Sequence, residues 1–291
     1  MALAFDLLQS VASDYGATLH RAAGGGRAEI SITPPGGAVR VFTLAITIIG
    51  VNVAAREVPG YDQLPHFCPD RHINADATFC LGWGEDKPGH IIDDAAARQW
   101  WSTVYRFLAQ QIIANVRRVF PGAENGRAHG DAARHQAIAE QAAECLGPEF
   151  KAAAQAGLFE VRKDERPGKH RLELWRSGRL LARVSLRSKA LLSEKLPCPC
   201  GCQPERTIAE CGDHAQALAT FVLERHRCAV ADRAFLDQFA AAGATCCGTL
   251  ETCGIRKAIR RKQLASMKNE GSQHARSSKY WRPPAKSKRP R

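Results

Sequence analysis

The segment RHINADATFCLGW, Arg71–Trp83, places His72, Asn74 and Cys80 within nine residues. Those residue types suit acyl transfer. A thiolate is the nucleophile of thioester chemistry, and the oxyanion formed when an amine attacks a thioester needs a hydrogen-bond donor. The Asn74 side-chain amide can be that donor. His72 is better suited to shape the loop through a hydrogen bond than to act as a base. The incoming amine must shed a proton, and Glu85, Asp86, Asp93 and Asp94 downstream of Cys80 are candidate acceptors that the sequence does not separate. Other roles compete for the same residues. Cysteines often serve as small buried hydrophobes. His66 and Cys68, taken with His72 and Cys80, supply four metal-binding side chains, though not at a familiar zinc spacing. Cys68 is a second candidate for the nucleophile.

A second constellation lies further on. Of eleven cysteines, eight fall between residues 198 and 253. Cys198, Cys200 and Cys202 form a CPCGC run, Cys211 and His214 follow, and Cys246, Cys247 and Cys253 come after an intervening helical stretch that holds His226 and Cys228. Thiolates and imidazoles bind zinc tetrahedrally, with ligand pairs two to four residues apart on tight turns. One or two structural zinc sites are expected from Cys198, Cys200, Cys202, Cys211, His214, Cys246, Cys247 and Cys253, with no organic cofactor. The alternatives are reduced structural cysteines around a small helical core and, less favoured, a thiol relay at Cys246–Cys247. Without an export signal, a long chain with this usage reads as metal-binding or catalytic rather than disulfide-bonded.

The net charge of +12 is confined to one end. Residues 254–291 carry thirteen Lys/Arg and one acid, Glu270, whereas the first 253 residues carry as many acids as bases. The basic excess therefore belongs to a tail and not to a folded surface. That tail could contact nucleic acid through phosphates, with Tyr280 and Trp281 stacking, or simply remain solvated. Its Gly, Ser and Pro content predicts disorder, apart from a short basic helix over IRKAIRRKQLASM.

Several elements must position these groups. The first twenty residues read as an amphipathic helix with Leu3, Phe5, Leu7, Leu8 and Val11 as its stripe. Asp6, Asp14 and the lack of a basic start argue against a signal peptide. No run of eighteen apolar residues occurs, so no membrane span is expected and the location reads as cytoplasmic. Around a PPGG break, Ile30 and Ile32 and then Val39, Val41, Thr43 and Ala45 alternate as strands. Asn52–Trp83 lacks a period and reads as one long loop, of the kind that usually carries function. A strong helix follows, capped by Asp93 or Asp94, with Trp101, Val104, Phe107, Leu108, Ile112, Val116 and Val119 in register. The Trp100–Trp101 pair belongs to its packing face. A second helix is predicted over 130–156, a hairpin about Ser177-Gly178, and a helix over 214–242. The chain divides into a first domain over 1–125, a helix, hairpin and Cys-rich region over 130–253, and a basic disordered tail over 254–291.

Helix, antiparallel strands, irregular loop, His-x-Asn, Cys-Leu and a Trp-bearing helix occur in an order that resembles the ubiquitin-conjugating enzymes. The match lies in HIN at His72–Asn74, FCL at Phe79–Leu81 and the Trp100–Trp101 pair, with Ile73 standing where the family motif has Pro. It covers about 40% of the chain and looks most like the divergent bacterial branch. The resemblance implies an α+β, UBC-like first domain with an N-terminal helix and a four-stranded meander. It also implies a cysteine nucleophile at Cys80, assisted by Asn74 and His72. The implied partners are a ubiquitin-like modifier, a ubiquitin-activating-like enzyme and a target amine, in a bacterial conjugation or antiphage-defence operon. The competing expectation is a non-enzymatic zinc-containing binding protein whose tail contacts nucleic acid.

Overall fold

The computed structural model describes residues 2–34, 37–82, 88–121, 128–202 and 204–278. Helix α1 (Ala2–Val11) turns Phe5 and Leu8 inward, one helical turn apart, and Gly16 (φ 66°) ends the short 3-10 turn that follows. Strands β1 (Ala17–Ala22), β2 (Gly25–Ile32), β3 (Arg40–Ile49) and β4 (Asn52–Glu57) form an antiparallel meander in sequential order. Period-two alternation sends Ala28, Ile30 and Ile32 of β2 and Phe42, Leu44, Ile46 and Ile48 of β3 to one face. Helix α2 (Asp94–Arg117) covers that face with Trp100, Trp101, Val104, Leu108 and Ile112. Asp93 caps it by accepting a hydrogen bond from Ala96 N at 2.8 Å. The buried Trp101 indole donates to Leu8 O at 2.9 Å, which ties α1 to α2. Residues 58–82 leave the end of β4 and return to its edge, where Thr78 bridges Arg56, and His90 bridges Asn52 further along the same strand.

The second half builds its own core. Helices α3 (Asp131–Cys145) and α4 (Pro148–Gln155) pack with strands β5 (Glu160–Lys163), β6 (Arg171–Arg176) and β7 (Arg179–Ser185) around Phe150, Phe159, Leu172, Leu174 and Val184. Helix α5 (His214–Ala241) closes that core with Leu218, Phe221 and Val222. With 28 residues, α5 is about 42 Å long. Its far end places Leu236 and Ala240 in a different apolar cluster, with Cys253, Ile255 and Ala258 and with Phe67 of the first half. Helix α6 (Gly254–Ser278) starts from that cluster. No helix among the described residues is long and apolar enough to cross a membrane.

Several sequence expectations are corrected. The first helix stops at Val11, and Ala17–Ala22 is a strand. The alternation in β3 has the opposite phase. Val39 and Val41 are exposed while Phe42, Leu44, Ile46 and Ile48 are inward, because both faces of this strand carry apolar residues. Asn52–Glu57 is strand rather than loop, paired with β3. Val116 is exposed, and Val119 lies beyond the end of α2. The helix expected over 130–156 is two, broken at Gly147 (φ 97°) before Pro148, whose ring cannot continue a helix. The chain expected to be disordered from 254, apart from a short helix, is helical as far as Ser278. Tyr280 and Trp281 lie outside the described residues. The Ser177-Gly178 hairpin is present, both residues having positive φ as a tight hairpin turn requires.

Candidate active site and thiol clusters

The loop that carries Cys80 is pinned residue by residue. Ile73 pairs with both Cys68 and Phe79 in isolated antiparallel bridges, and Thr78 pairs with Arg56 at the end of β4. Phe79 N donates to Ala55 O at 2.8 Å, and the Phe79 ring is buried against Phe107 at 4.6 Å between centroids. Leu81 also packs on the core. Cys80 is thus half-buried between two anchored neighbours, and its backbone N–H donates to His72 O at 2.8 Å.

His72 adopts a left-handed backbone (φ 55°), and its ring lies 5.5 Å from that of Phe120 and 5.7 Å from that of His129. Burial, and then the neighbouring His129, push its pKa down to about 4, so it is neutral near pH 7. His129 differs. Burial opposes its protonation, yet the Asp232 carboxylate at 2.8 Å from Nδ1 and the Pro69 carbonyl at 2.8 Å from Nε2 hold its pKa above the usual value. Asn74 lies on the exposed lip of the loop. Its side-chain amide donates to Thr78 Oγ1 at 3.0 Å, and that hydroxyl donates to Asp76 Oδ1 at 2.6 Å, so the amide is oriented by a short relay.

Two clefts meet at His72 and Cys80. The smaller is lined by Leu81, Thr103, Arg106, Phe107, Gln110 and Phe120 besides those two. The larger, about 460 Å³, is mostly apolar and holds Asn74, His72 and Cys80 on one wall. Its other wall comprises His129 and, from the far end of α5, Phe235 and Phe239. The sequence reading missed these second-half residues. Nothing local marks them, since His129 and Asp232 stand more than a hundred residues apart.

Of the four candidate proton acceptors, Asp93 caps α2 and Asp94 pairs with Arg98 at 2.7 Å. Glu85 and Asp86 lie outside the described residues. The quartet His66, Cys68, His72 and Cys80 does not converge among the described residues. His66 lines a separate pocket with Glu57, Pro59 and Asp62, and the buried Cys68 faces Cys247 at 3.2 Å. Burial also sets aside Cys68 as an accessible nucleophile.

The candidate metal ligands separate into two groups. Ligand atoms of Cys198, Cys200, Cys211 and His214 all lie within 4.8 Å of one another, and Cys198 Sγ is 3.3 Å from His214 Nδ1. Cys202 flanks them, with its sulfur 3.5 Å from that of Cys211. Desolvation takes the Cys198 thiol up to about 12. Desolvation also works against ionisation at Cys200, but hydrogen bonds led by Cys198 bring that thiol down to about 7. One sulfur of the set is thus stabilised as an anion by its neighbours. Cys246, Cys247 and Cys253 form the second group, again within 4.8 Å. Cys228 is buried on α5 and Cys145 is exposed on α3, each apart from these groups.

Residues 20–122 match the family model of a prokaryotic E2 domain, and residues 128–255 match that of a cysteine-rich domain C-terminal to E2 domain. No curated protein and no solved structure matches the chain. The meander, the loop crossing its edge and the two adjoining matches define a class: an E2-like domain of the prokaryotic type, followed by a cysteine-rich, mostly helical domain.

Proposed function

We propose that the protein is a cytoplasmic ubiquitin-conjugating-like enzyme that carries a ubiquitin-like modifier as a thioester on Cys80 and passes it to an amine. The observation that carries this reading is the placement of a half-buried thiol where two clefts meet, on a loop fixed on both sides by buried residues. In the charging step the Cys80 thiolate attacks the modifier's C-terminal carbonyl, held as a thioester on an activating enzyme, and the activating enzyme's thiolate leaves. In the discharge step an amine attacks that carbonyl, the oxyanion accepts a hydrogen bond from Asn74, and the Cys80 thiolate leaves as the amine gives up a proton. Asn74 retains a second amide hydrogen for this after donating to Thr78. His72, neutral and held by its backbone, positions the loop through its carbonyl. Such a protein would work beside genes for a modifier and an activating enzyme, as in a bacterial conjugation or antiphage-defence operon.

Cys198, Cys200, Cys211 and His214 would hold a structural zinc ion. Bond lengths near 2.0–2.3 Å place tetrahedral ligand atoms about 3.3–3.8 Å apart, and ligand atoms all within 4.8 Å of one another accommodate that spacing. Four protein ligands leave no open position, so the ion would supply folding energy rather than chemistry.

The test is incubation with ATP, the activating enzyme and the modifier encoded beside this chain. Wild type gives an adduct cleaved by dithiothreitol, Cys80→Ser gives one that resists the reagent, and Cys80→Ala gives none. A thiol-labile adduct on Cys80→Ala, or none on wild type with partners shown to be active, overturns the proposal. The exposed basic residues at the start of α6 favour a second reading, a polyanion-binding role for the C-terminal segment.

A further inference from the structure

Cys246, Cys247 and Cys253 place three sulfurs within 4.8 Å of one another, one ligand short of a tetrahedral set. A candidate fourth sulfur comes from the E2 domain. Cys68 Sγ lies 3.2 Å from Cys247 Sγ, across 179 residues of sequence. We propose that Cys68, Cys246, Cys247 and Cys253 form a second, tetrathiolate zinc site that clamps the loop bearing His72 and Cys80 to the cysteine-rich domain.

Three independent features point the same way. First, the sulfurs are approached by donors, as metal-bound thiolates require. Gly248 N donates to Cys246 Sγ at 3.4 Å, and the Thr249 hydroxyl lies 3.1 Å from Cys247 Sγ. Second, a buried cation stands beside them. Arg71 is fully buried, and no carboxylate pairs with it among the described residues. Its Nε and Nη2 donate to Gln111, Nη1 has no partner, and its backbone N–H donates to Cys68 O at 3.0 Å. A buried guanidinium without an anion is costly. Four thiolates around one Zn²⁺ carry a net charge of −2, and the buried Arg71 offsets part of it. Third, the surrounding hydrogen bonds already join the two domains at this point. Asp70 accepts from Gly254 N at 2.8 Å, Glu251 N donates to Arg118 O at 2.9 Å, and Arg118 donates to Gly248 O at 3.0 Å.

Soft thiolates select zinc over hard cations, and a closed four-sulfur set is structural. Binding converts the four thiols to thiolates and releases their protons to solvent. The consequence for the site is short-range. Cys68 exchanges backbone hydrogen bonds with Ile73, and Ile73 sits between His72 and Asn74. A metal on Cys68 therefore fixes one side of the Cys80 loop. This inference rests on metal binding by the second thiol group and not on thioester transfer, so a failed charging assay leaves it standing.

The test uses the full chain, reduced, loaded with zinc and desalted. Cys68→Ala should carry one zinc fewer per chain than wild type by elemental analysis. Cys247→Ala should lose the same one, the double variant should lose no more, and Cys145→Ala should lose none. With Co²⁺ in place of zinc, Cys68→Ala should lose the absorption of a tetrathiolate centre. Should these variants fail to fold, wild type answers alone: N-ethylmaleimide labels Cys68, Cys246, Cys247 and Cys253 together, and only after a zinc chelator is added. The proposal is overturned if Cys68→Ala keeps the full zinc content, or if Cys68 labels at the same rate with and without chelator. It is also overturned if the purified chain holds a Cys68–Cys247 disulfide in place of the metal.

Discussion

His72 is neutral because of where it sits, and that has a thermodynamic consequence. In the unfolded chain a histidine takes up its proton near pH 6.5, whereas burial and His129 hold the folded side chain back to about 4. Between those values the unfolded state binds more protons, so stability falls as pH falls from 6.5 to 4 and is fully present above 6.5. The loss amounts to on the order of 3 kcal/mol by pH 4. His72→Gln should remove this component, so that wild type and variant converge in urea midpoint as the pH drops through the window. An unchanged difference across it would show that His72 titrates normally. For Asn74, the proposed transfer chemistry predicts a split. Asn74→Ala should charge Cys80 as wild type does, yet discharge to a free amine about 100-fold more slowly, the usual scale for one lost oxyanion donor. Thr78→Val should slow discharge by less, since it frees the amide rather than removing it. Equal loss in charging and discharge would point to a damaged loop instead. His72, Asn74 and Cys80 could be picked out of the sequence because nine contiguous residues hold them. Cys68 could not be placed, because its partner lies 179 residues away and only folding reveals the pair.

The meander was anticipated at the scale of elements, but the phase of β3 was not, and the reason is physical. Val39, Val41, Phe42, Leu44, Ile46, Ile48 and Ile49 offer apolar side chains on both faces, so periodicity gives two answers one residue apart. Burial against α2 selects one of them. Register in this sheet is enforced partly by close backbone approach. A Cβ on Gly25 would lie 2.0 Å from Ile46 O of β3, a backbone atom that cannot step aside. Gly25→Ala should therefore destabilise the chain by about 3 kcal/mol or more, or shift the β2–β3 register. Gly50 is the control. It has φ 64°, and a Cβ there would meet nothing within 4 Å, so Gly50→Ala should cost only the left-handed strain, about 1 kcal/mol. Chemical denaturation of both variants measures the gap, and equal losses would mean that steric approach at Gly25 is relieved by the sheet. The N-terminal cap of α2 is a smaller matter, and one that sequence did disclose. Asp93→Ala removes the acceptor for Ala96 N and should cost about 1 kcal/mol.

Taken whole, the molecule has two cores joined by one long helix and by the cluster around Phe67, Leu236 and Ile255. Its charge is divided differently. The first 253 residues are electrically balanced, and the entire excess of +12 lies from Gly254 onward. Any attraction to nucleic acid should therefore depend on the C-terminal segment and be strongly salt-dependent. Where to cut that segment follows from packing. Ile255 and Ala258 are buried with Leu236 and Ala240, so removal from Gly254 would expose an apolar cluster and confuse instability with lost charge. Ending the chain after Met267 keeps that cluster and the first five bases of α6, and removes the other eight of the thirteen Lys/Arg. Full-length protein should bind a single-stranded oligonucleotide with log affinity falling linearly in log salt. The shortened protein should show a shallower line, its slope reduced by about 0.7 for each phosphate that the removed bases had neutralised. Zinc content and melting temperature should be the same for both, since neither thiol group is touched. A salt slope unchanged by the truncation would place the polyanion contact on the balanced part of the molecule, contrary to the charge distribution. Absence of binding by the full-length chain at low salt would leave the tail with no electrostatic role toward nucleic acid.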